Sequence, residues 1–165
     1  MKLSAGVEWA LHCCVVLSQA TDPVPVGRLA TFHDVSKTYL AKHMQALVRA
    51  GLVSAAEGRD GGYLLARDPA HITVLDVVGA IEGHEPAFRC TEIRQRGPLP
   101  ATPGDCERAC AIARAMATAE AAWRTSLEAT SVADLVGDVD RDTSGQTLPR
   151  LRGWLRDSGL HPAPR

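Results

Sequence analysis

Apolar positions recur at helical spacing near the start of the chain, in Val7, Ala10, Leu11, Cys14 and Val15 after Ser4. This predicts a first helix from Val7 to about Gln19, with Ser4 as its N-cap. Thr21-Asp22-Pro23-Val24-Pro25 ends it, and a short second helix runs from Val26 to Phe32. His33-Asp34-Val35 is a tight connection to Ser36, the N-cap of a third helix that buries Leu40, Met44, Leu47 and Val48 and stops at Gly51. The period then changes. Leu52-Val53 and Tyr63-Leu64-Leu65 flank Glu57-Gly58-Arg59-Asp60-Gly61-Gly62, which reads as two strands joined by a glycine-rich hairpin.

Further along, Pro98, Pro100, Pro103 and Gly104 exclude a helix between Cys90 and Asp105. Asp105 is then the expected N-cap of a long helix from Cys106 to about Thr130, with Ala109, Ile112, Met116, Ala119, Trp123 and Leu127 in one apolar stripe beside Ala113, Ala117 and Ala121. So long a stripe needs a partner, which predicts pairing with a twofold mate and a crossover that brings each sensor segment near the other subunit's DNA-binding domain. The pattern divides the chain into 1–83, a winged helix-turn-helix DNA-binding domain, 84–130, a cofactor-binding loop and dimerisation helix, and 131–165, a C-terminal tail. In that tail Leu148, Leu151, Trp154 and Leu155 either form a short docked helix or belong to a mobile region.

The fold class is therefore mainly α: a winged helix-turn-helix with a small β-hairpin wing and a long C-terminal dimerisation helix. In that arrangement the third helix enters the major groove and the hairpin touches backbone or minor groove. The candidate DNA-reading residues are Ser36, Lys37, Thr38, Tyr39, Lys42 and His43, exposed on the first turns of the third helix, with Arg59 at the hairpin tip. A solvated helix face and an ordinary turn explain the same residues, and winged helices also serve as protein-interaction modules.

Charge adjusts this picture only slightly. The formal net charge is -1, but Gly27 to Arg67 carries six Lys/Arg against three acids, an excess that favours DNA once a dimer doubles it. The N-terminal stretch is interrupted by Glu8 and His12 and is neither a signal segment nor a membrane span. A cytoplasmic protein is expected.

Five cysteines, two of them adjacent at Cys13-Cys14 in a helix, do not fit a secreted disulfide framework. Cys13 and Cys14 read as small buried residues. Cys106 and Cys110, four apart, are expected on the alanine-lined side of the long helix, with Cys90 able to close on the same site from the loop. Thiolates suit zinc or an iron-sulfur centre. Glu8 and His12, also four apart, project from one face of the first helix; such a pair is an ordinary surface contact or an iron-binding carboxylate and imidazole. His33, His71, His84 and His161 have no matching partner set and receive no role.

Five ordered segments carry a resemblance: Met1-Lys2-Leu3-Ser4; Ser36-Lys37-Thr38-Tyr39-Leu40; Leu47-Val48-Arg49-Ala50-Gly51-Leu52-Val53; Gly58 through Ala66; and Ile72 through Val78 with Ile81-Glu82-Gly83. Together they resemble the IscR/NsrR-type regulators of the Rrf-two family. The resemblance implies a homodimeric winged-helix transcription factor that binds a double-stranded DNA operator. It also implies an iron-sulfur cluster whose state alters DNA binding, as in many members. NsrR-type members take an acidic ligand from the first helix of the opposite subunit, at the position of Glu8, and IscR-type members use a histidine as their non-cysteine ligand.

The family's cysteine trio is more closely and evenly spaced than here, where fifteen residues separate Cys90 from Cys106 and three separate Cys106 from Cys110. That departure favours a two-iron, two-sulfur centre with the metal ligands Glu8, His12, Cys90 and Cys110. Cys110 is preferred as the residue one turn inside the helix, and Cys106, in its fraying first turn, is a spare or exchange ligand. Trp9 is a dimer-interface anchor or a signal relay beside the cluster. The alternative is a winged-helix regulator with a cysteine thiol or zinc switch and no cluster. An electron carrier or iron-sulfur enzyme is disfavoured, because no substrate-binding or nucleophile-base motif appears.

Overall fold

In the computed structural model, which describes residues 2–58 and 61–163, the first three helices, the hairpin, the long helix and the tail helix follow the expected order, and two helices that the sequence pattern did not reveal, over 74–82 and 132–142, are added to them. The helices are α1 (Ala5–Leu17), α2 (Val26–His33), α3 (Lys37–Arg49), α4 (Val74–Glu82), α5 (Ala111–Glu128), α6 (Val132–Asp142) and α7 (Thr147–Asp157), and the strands are β1 (Val53–Ala56) and β2 (Gly62–Leu65). Internal contacts divide the chain into two units: Lys2–Gly83 together with the segment from Leu127 onward, and His84–Ser126.

The first unit is built around α1. Its face of Ala10, Cys13, Cys14 and Leu17 meets Leu29 and Ala30 of α2, Leu40, Met44 and Leu47 of α3, and Val77 of α4 in one buried cluster. Leu29, Leu40 and Leu47 are fully buried, each side chain contributing roughly 1.5–3 kcal/mol of transfer free energy. The chain turns between α2 and α3 through Asp34, at φ 51° and ψ 48°, a left-handed conformation that aspartate tolerates better than most residues. Gly51 ends α3 at φ 67°.

β1 and β2 pair antiparallel, with Val53 opposite Leu65 and Ala56 opposite Gly62. The wing is pinned to the segment before α2: Val24 N–H donates to the Tyr63 carbonyl at 2.9 Å, and Tyr63 N–H donates to the Val24 carbonyl at 3.0 Å. Gly62 permits this approach, since a Cβ there would lie 2.4 Å from the Val24 carbonyl carbon.

The tail docks. Leu148, Leu151 and Leu155 are buried, and Trp154 of α7 packs against Phe32 of α2 in a tilted arrangement, 4.7 Å between ring centroids. Beyond α7 a strap returns to the α1–α2 connection, where Thr21 N–H donates to the His161 carbonyl and Ala163 N–H to the Gln19 carbonyl. His161, given no role from sequence, donates its backbone N–H to Asp22 Oδ2 at 2.7 Å, and its ring Nδ1 lies 2.6 Å from the same oxygen. α6 and α4 begin side by side, each with a capping box, Ser131 with Asp134 and Thr73 with Asp76.

The second unit differs from expectation at the start of its helix. α5 begins at Ala111, and Gly104–Cys106 forms a 3-10 turn. Asp105 is not the N-cap of α5: it lies inside that turn, and its carboxylate accepts from the hydroxyl and N–H of Thr102, three residues back. No residue of α5 is buried within the single chain, and Ile112 and Met116 remain 62% and 42% exposed. Among the described residues, no helix is long and apolar enough to cross a membrane.

Candidate functional site

The expected reading face lies at the start of α3. Ser36 occupies the N-cap without a side-chain capping bond, leaving its hydroxyl available. Lys37, Thr38, Tyr39 and Lys42 are exposed, Tyr39 to 65%. His43 departs from the expected exposure. Its ring is half-buried under α1, edge-on to Trp9 at 5.9 Å and 77°, and a Cβ on Gly6 would lie 2.4 Å from its Cε1. The missing side chain at Gly6 is what admits the imidazole there. Arg59 lies outside the described residues.

Arg28 belongs with this face although its position in the sequence gave it no role. It lines a cleft of about 630 Å³ with Pro25, Gly27, Thr31, Lys37 and Tyr63, between the start of α2 and the wing. Pro25 caps α2 without a side-chain bond, so the first N–H groups of α2 add positive potential beside two cations.

On α1, Glu8 and His12 are both exposed, one turn apart. They line a cavity of about 780 Å³ walled by Leu3, Val7 and Leu11 of the N-terminal region and Leu135 and Val139 of α6. His12 lies 5.7 Å from the ring of His33, a neighbour that sequence spacing alone missed. His33 Nε2 is buried without a partner, and burial, then the nearby His12, push its pKa below the usual imidazole value.

In the second unit Cys90 is exposed and its thiol lies 3.6 Å from Glu92 Oε1. Because α5 starts later than expected, Cys106 and Cys110 do not share a helical face, and Cys110 is not one turn inside the helix. Cys110 stands immediately before α5 and its carbonyl accepts from Arg114 N–H. The N–H groups of Ala113 and then Ile112 point at its sulfur, with Arg94 nearby, and they draw its pKa below the ordinary thiol value. Burial pushes Cys13 and Cys14 the other way, up to about 12. These two are structural, as expected. Among the described residues, no group of three or more His, Cys, Asp or Glu side chains is gathered to hold a metal.

The donor chemistry nevertheless fits an iron-sulfur group: an exposed carboxylate and imidazole on one helix face, and two accessible thiols of which one is biased toward thiolate. Helix, turn, helix and wing, with cations around the start of the third helix, define a DNA-binding transcriptional regulator of the winged-helix class. The chain belongs to the Rrf2 family, whose model, described as an iron-dependent transcriptional regulator, matches residues 3–138.

Among relatives, the HTH-type transcriptional regulator IscR of Klebsiella pneumoniae (strain 342) is 37% identical over 92 residues, 54% of this chain and 56% of its own length. The match thus spans only about half of that relative. YwgB of Bacillus subtilis (strain 168), named for an HTH-type transcriptional regulator, is 30% identical over 164 residues, covering 94% of this chain and 95% of its own. Two solved structures share the fold. The global cysteine regulator CymR of B. subtilis has a TM-score of 0.60 at 24% identity, over 83% of this chain and 97% of its own. IscR of T. potens has a TM-score of 0.64 at 21% identity, over 86% of this chain and 90% of its own.

Proposed function

We propose that the protein is a homodimeric regulator that senses redox state through a two-iron, two-sulfur cluster and changes its affinity for a DNA operator accordingly. Glu8 and His12 of one subunit and Cys90 and Cys110 of the partner subunit hold the cluster, with Cys106 in reserve. Lys37, Thr38, Tyr39 and Lys42, joined by Ser36, Arg28 and Arg59, engage DNA.

The observation that carries this reading is the turn of α1 from Glu8 to His12. It presents a carboxylate and an imidazole at a cavity while Trp9, on the same turn, contacts His43 of α3. A change in how Glu8 and His12 are held therefore reaches α3 through one aromatic contact, which is the relay role assigned to Trp9. His43 serves this coupling rather than direct base contact. When bound, the cluster supplies a reversible one-electron change of charge. The mixed oxygen, nitrogen and sulfur donors raise its potential relative to an all-cysteine site.

Dimerisation is supported by α5, whose Ile112 and Met116 lie uncovered in the single chain. Two recognition helices must be spaced by a turn of DNA to engage both half-sites, so small rotations alter affinity.

The depressed pKa of Cys110 also suits a thiol switch without a cluster. The two readings separate in Glu8→Gln and His12→Ala variants, reconstituted anaerobically and analysed for iron, sulfide and visible absorption. The cluster reading predicts at least a threefold fall in iron and sulfide per chain while the α-helical content holds; full retention in both variants overturns the ligand set.

A further inference from the structure

None of the side chains from 84 to 110 is buried, and Ile93 and Leu99 stand 72% and 92% exposed. Apolar packing therefore does not order the loop that carries Cys90 and leads to Cys110. What crosses it is one arginine. Arg94 Nε donates to Glu92 Oε2 at 2.6 Å, Nη1 donates to the Asp105 carbonyl at 3.0 Å, and Nη2 donates to the Arg108 carbonyl at 2.6 Å. Its own carbonyl accepts from Ala101 N–H at 2.8 Å. Since Glu92 also meets the Cys90 thiol, a continuous polar chain runs from Cys90 through Glu92 and Arg94 to the backbone just before Cys110.

The rigid guanidinium fork suits this task, because a lysine ammonium cannot direct several donors in one plane at separated carbonyls. Closing a flexible loop costs entropy that something must offset, and here the offset is three charge-assisted contacts. The same side chain lies near enough to Cys110 that its charge favours that thiolate.

We propose that Arg94 is a positioning residue that sets the spacing of Cys90 and Cys110 and holds a positive charge beside the sulfur ligands. This rests on the cluster reading above for its second half, whereas the loop-holding half is independent of any metal. A positive charge near the cluster favours the reduced, more negative state, so Arg94 raises the reduction potential.

The test compares full-length wild type, Arg94→Ala and Arg94→Lys by two readouts. In metal-free protein, limited proteolysis with mass mapping should show cleavage between residues 92 and 108 at least tenfold faster in both variants. In reconstituted protein, Arg94→Ala should shift the reduced-to-oxidised ratio at fixed potential about tenfold toward oxidised, a fall of ~59 mV for a one-electron couple, while Arg94→Lys stays near wild type. Unchanged loop cleavage in Arg94→Ala overturns the positioning role, and an unchanged potential overturns the charge role. A wild type that takes up no cluster overturns the cluster reading, with loop cleavage still deciding the role of Arg94.

Discussion

Cys110 stands where a helix begins, and that place sets its chemistry. The N–H groups of Ala113 and Ile112 favour its thiolate, whereas Cys13 and Cys14 are held as thiols by burial. A folded pKa below the free-thiol value of ~8.5 means that the thiolate persists as pH falls below that value and is lost only through the lower folded pKa. Alkylation of metal-free protein, followed by mass mapping from pH 5 to 10, should show Cys110 reacting with an inflection below that of a free cysteine. Cys13 and Cys14 should stay unmodified until the protein is denatured. Equal labelling of all three at neutral pH would contradict this account. The low pKa was not legible in the sequence. Asp105 reads locally as the cap of a helix containing both thiols, but its carboxylate is taken by Thr102, and Arg94 occupies the carbonyls of Asp105 and Arg108. A contact from eleven and fourteen residues upstream thus delays the helix to Ala111. His43 shows the same limit, since only the approach of Gly6 on another helix turns it inward.

At the scale of elements, α1, α2, α3 and the wing were legible because their apolar periods and turn residues agree with the packing they adopt. Asp34, Gly51 and Gly62 each stand where the backbone demands an unusual angle or a close approach. α7 was legible as an amphipathic pattern but not as part of the DNA-binding unit, because its docking depends on Phe32 and the α1–α2 connection, far away in sequence. Leu155 is fully buried in the same cluster as Leu29. Leu155→Ala should therefore destabilise the whole first unit by about 2–5 kcal/mol, seen as a lower denaturant midpoint with an unchanged slope. A loss confined to the tail would contradict its integral role. The strap adds a pH dependence. The His161 backbone N–H, and then its ring, lower the pKa of Asp22, so this contact stabilises above the ordinary carboxylate range and is lost as pH falls through the lower folded value. Hydrogen exchange at Thr21 and Ala163 should be protected at neutral pH and lose protection only once the pH has fallen below the ordinary aspartate range, before the core opens.

For the whole molecule, the proposed function takes DNA as the partner, and the exposed cations at the start of α3 are placed to meet its phosphates. Lys37→Ala or Lys42→Ala should each weaken binding to any duplex and reduce the slope of log affinity against log salt by about one. An unchanged slope would remove that lysine from the interface. The sequence could indicate a dimer through the unpartnered stripe of α5, but it could not show that α1 carries its candidate ligands and its contact with α3 on one turn. That arrangement ties the proposed sensor to the reader. The most direct test is to select a duplex from a random library with the reconstituted protein, then titrate it anaerobically with oxidised and dithionite-reduced protein by fluorescence anisotropy. Affinities should differ at least tenfold between the two states, and the difference should disappear in Glu8→Gln. Equal affinity in both states, with two irons and two sulfides confirmed per site, would contradict the proposed function.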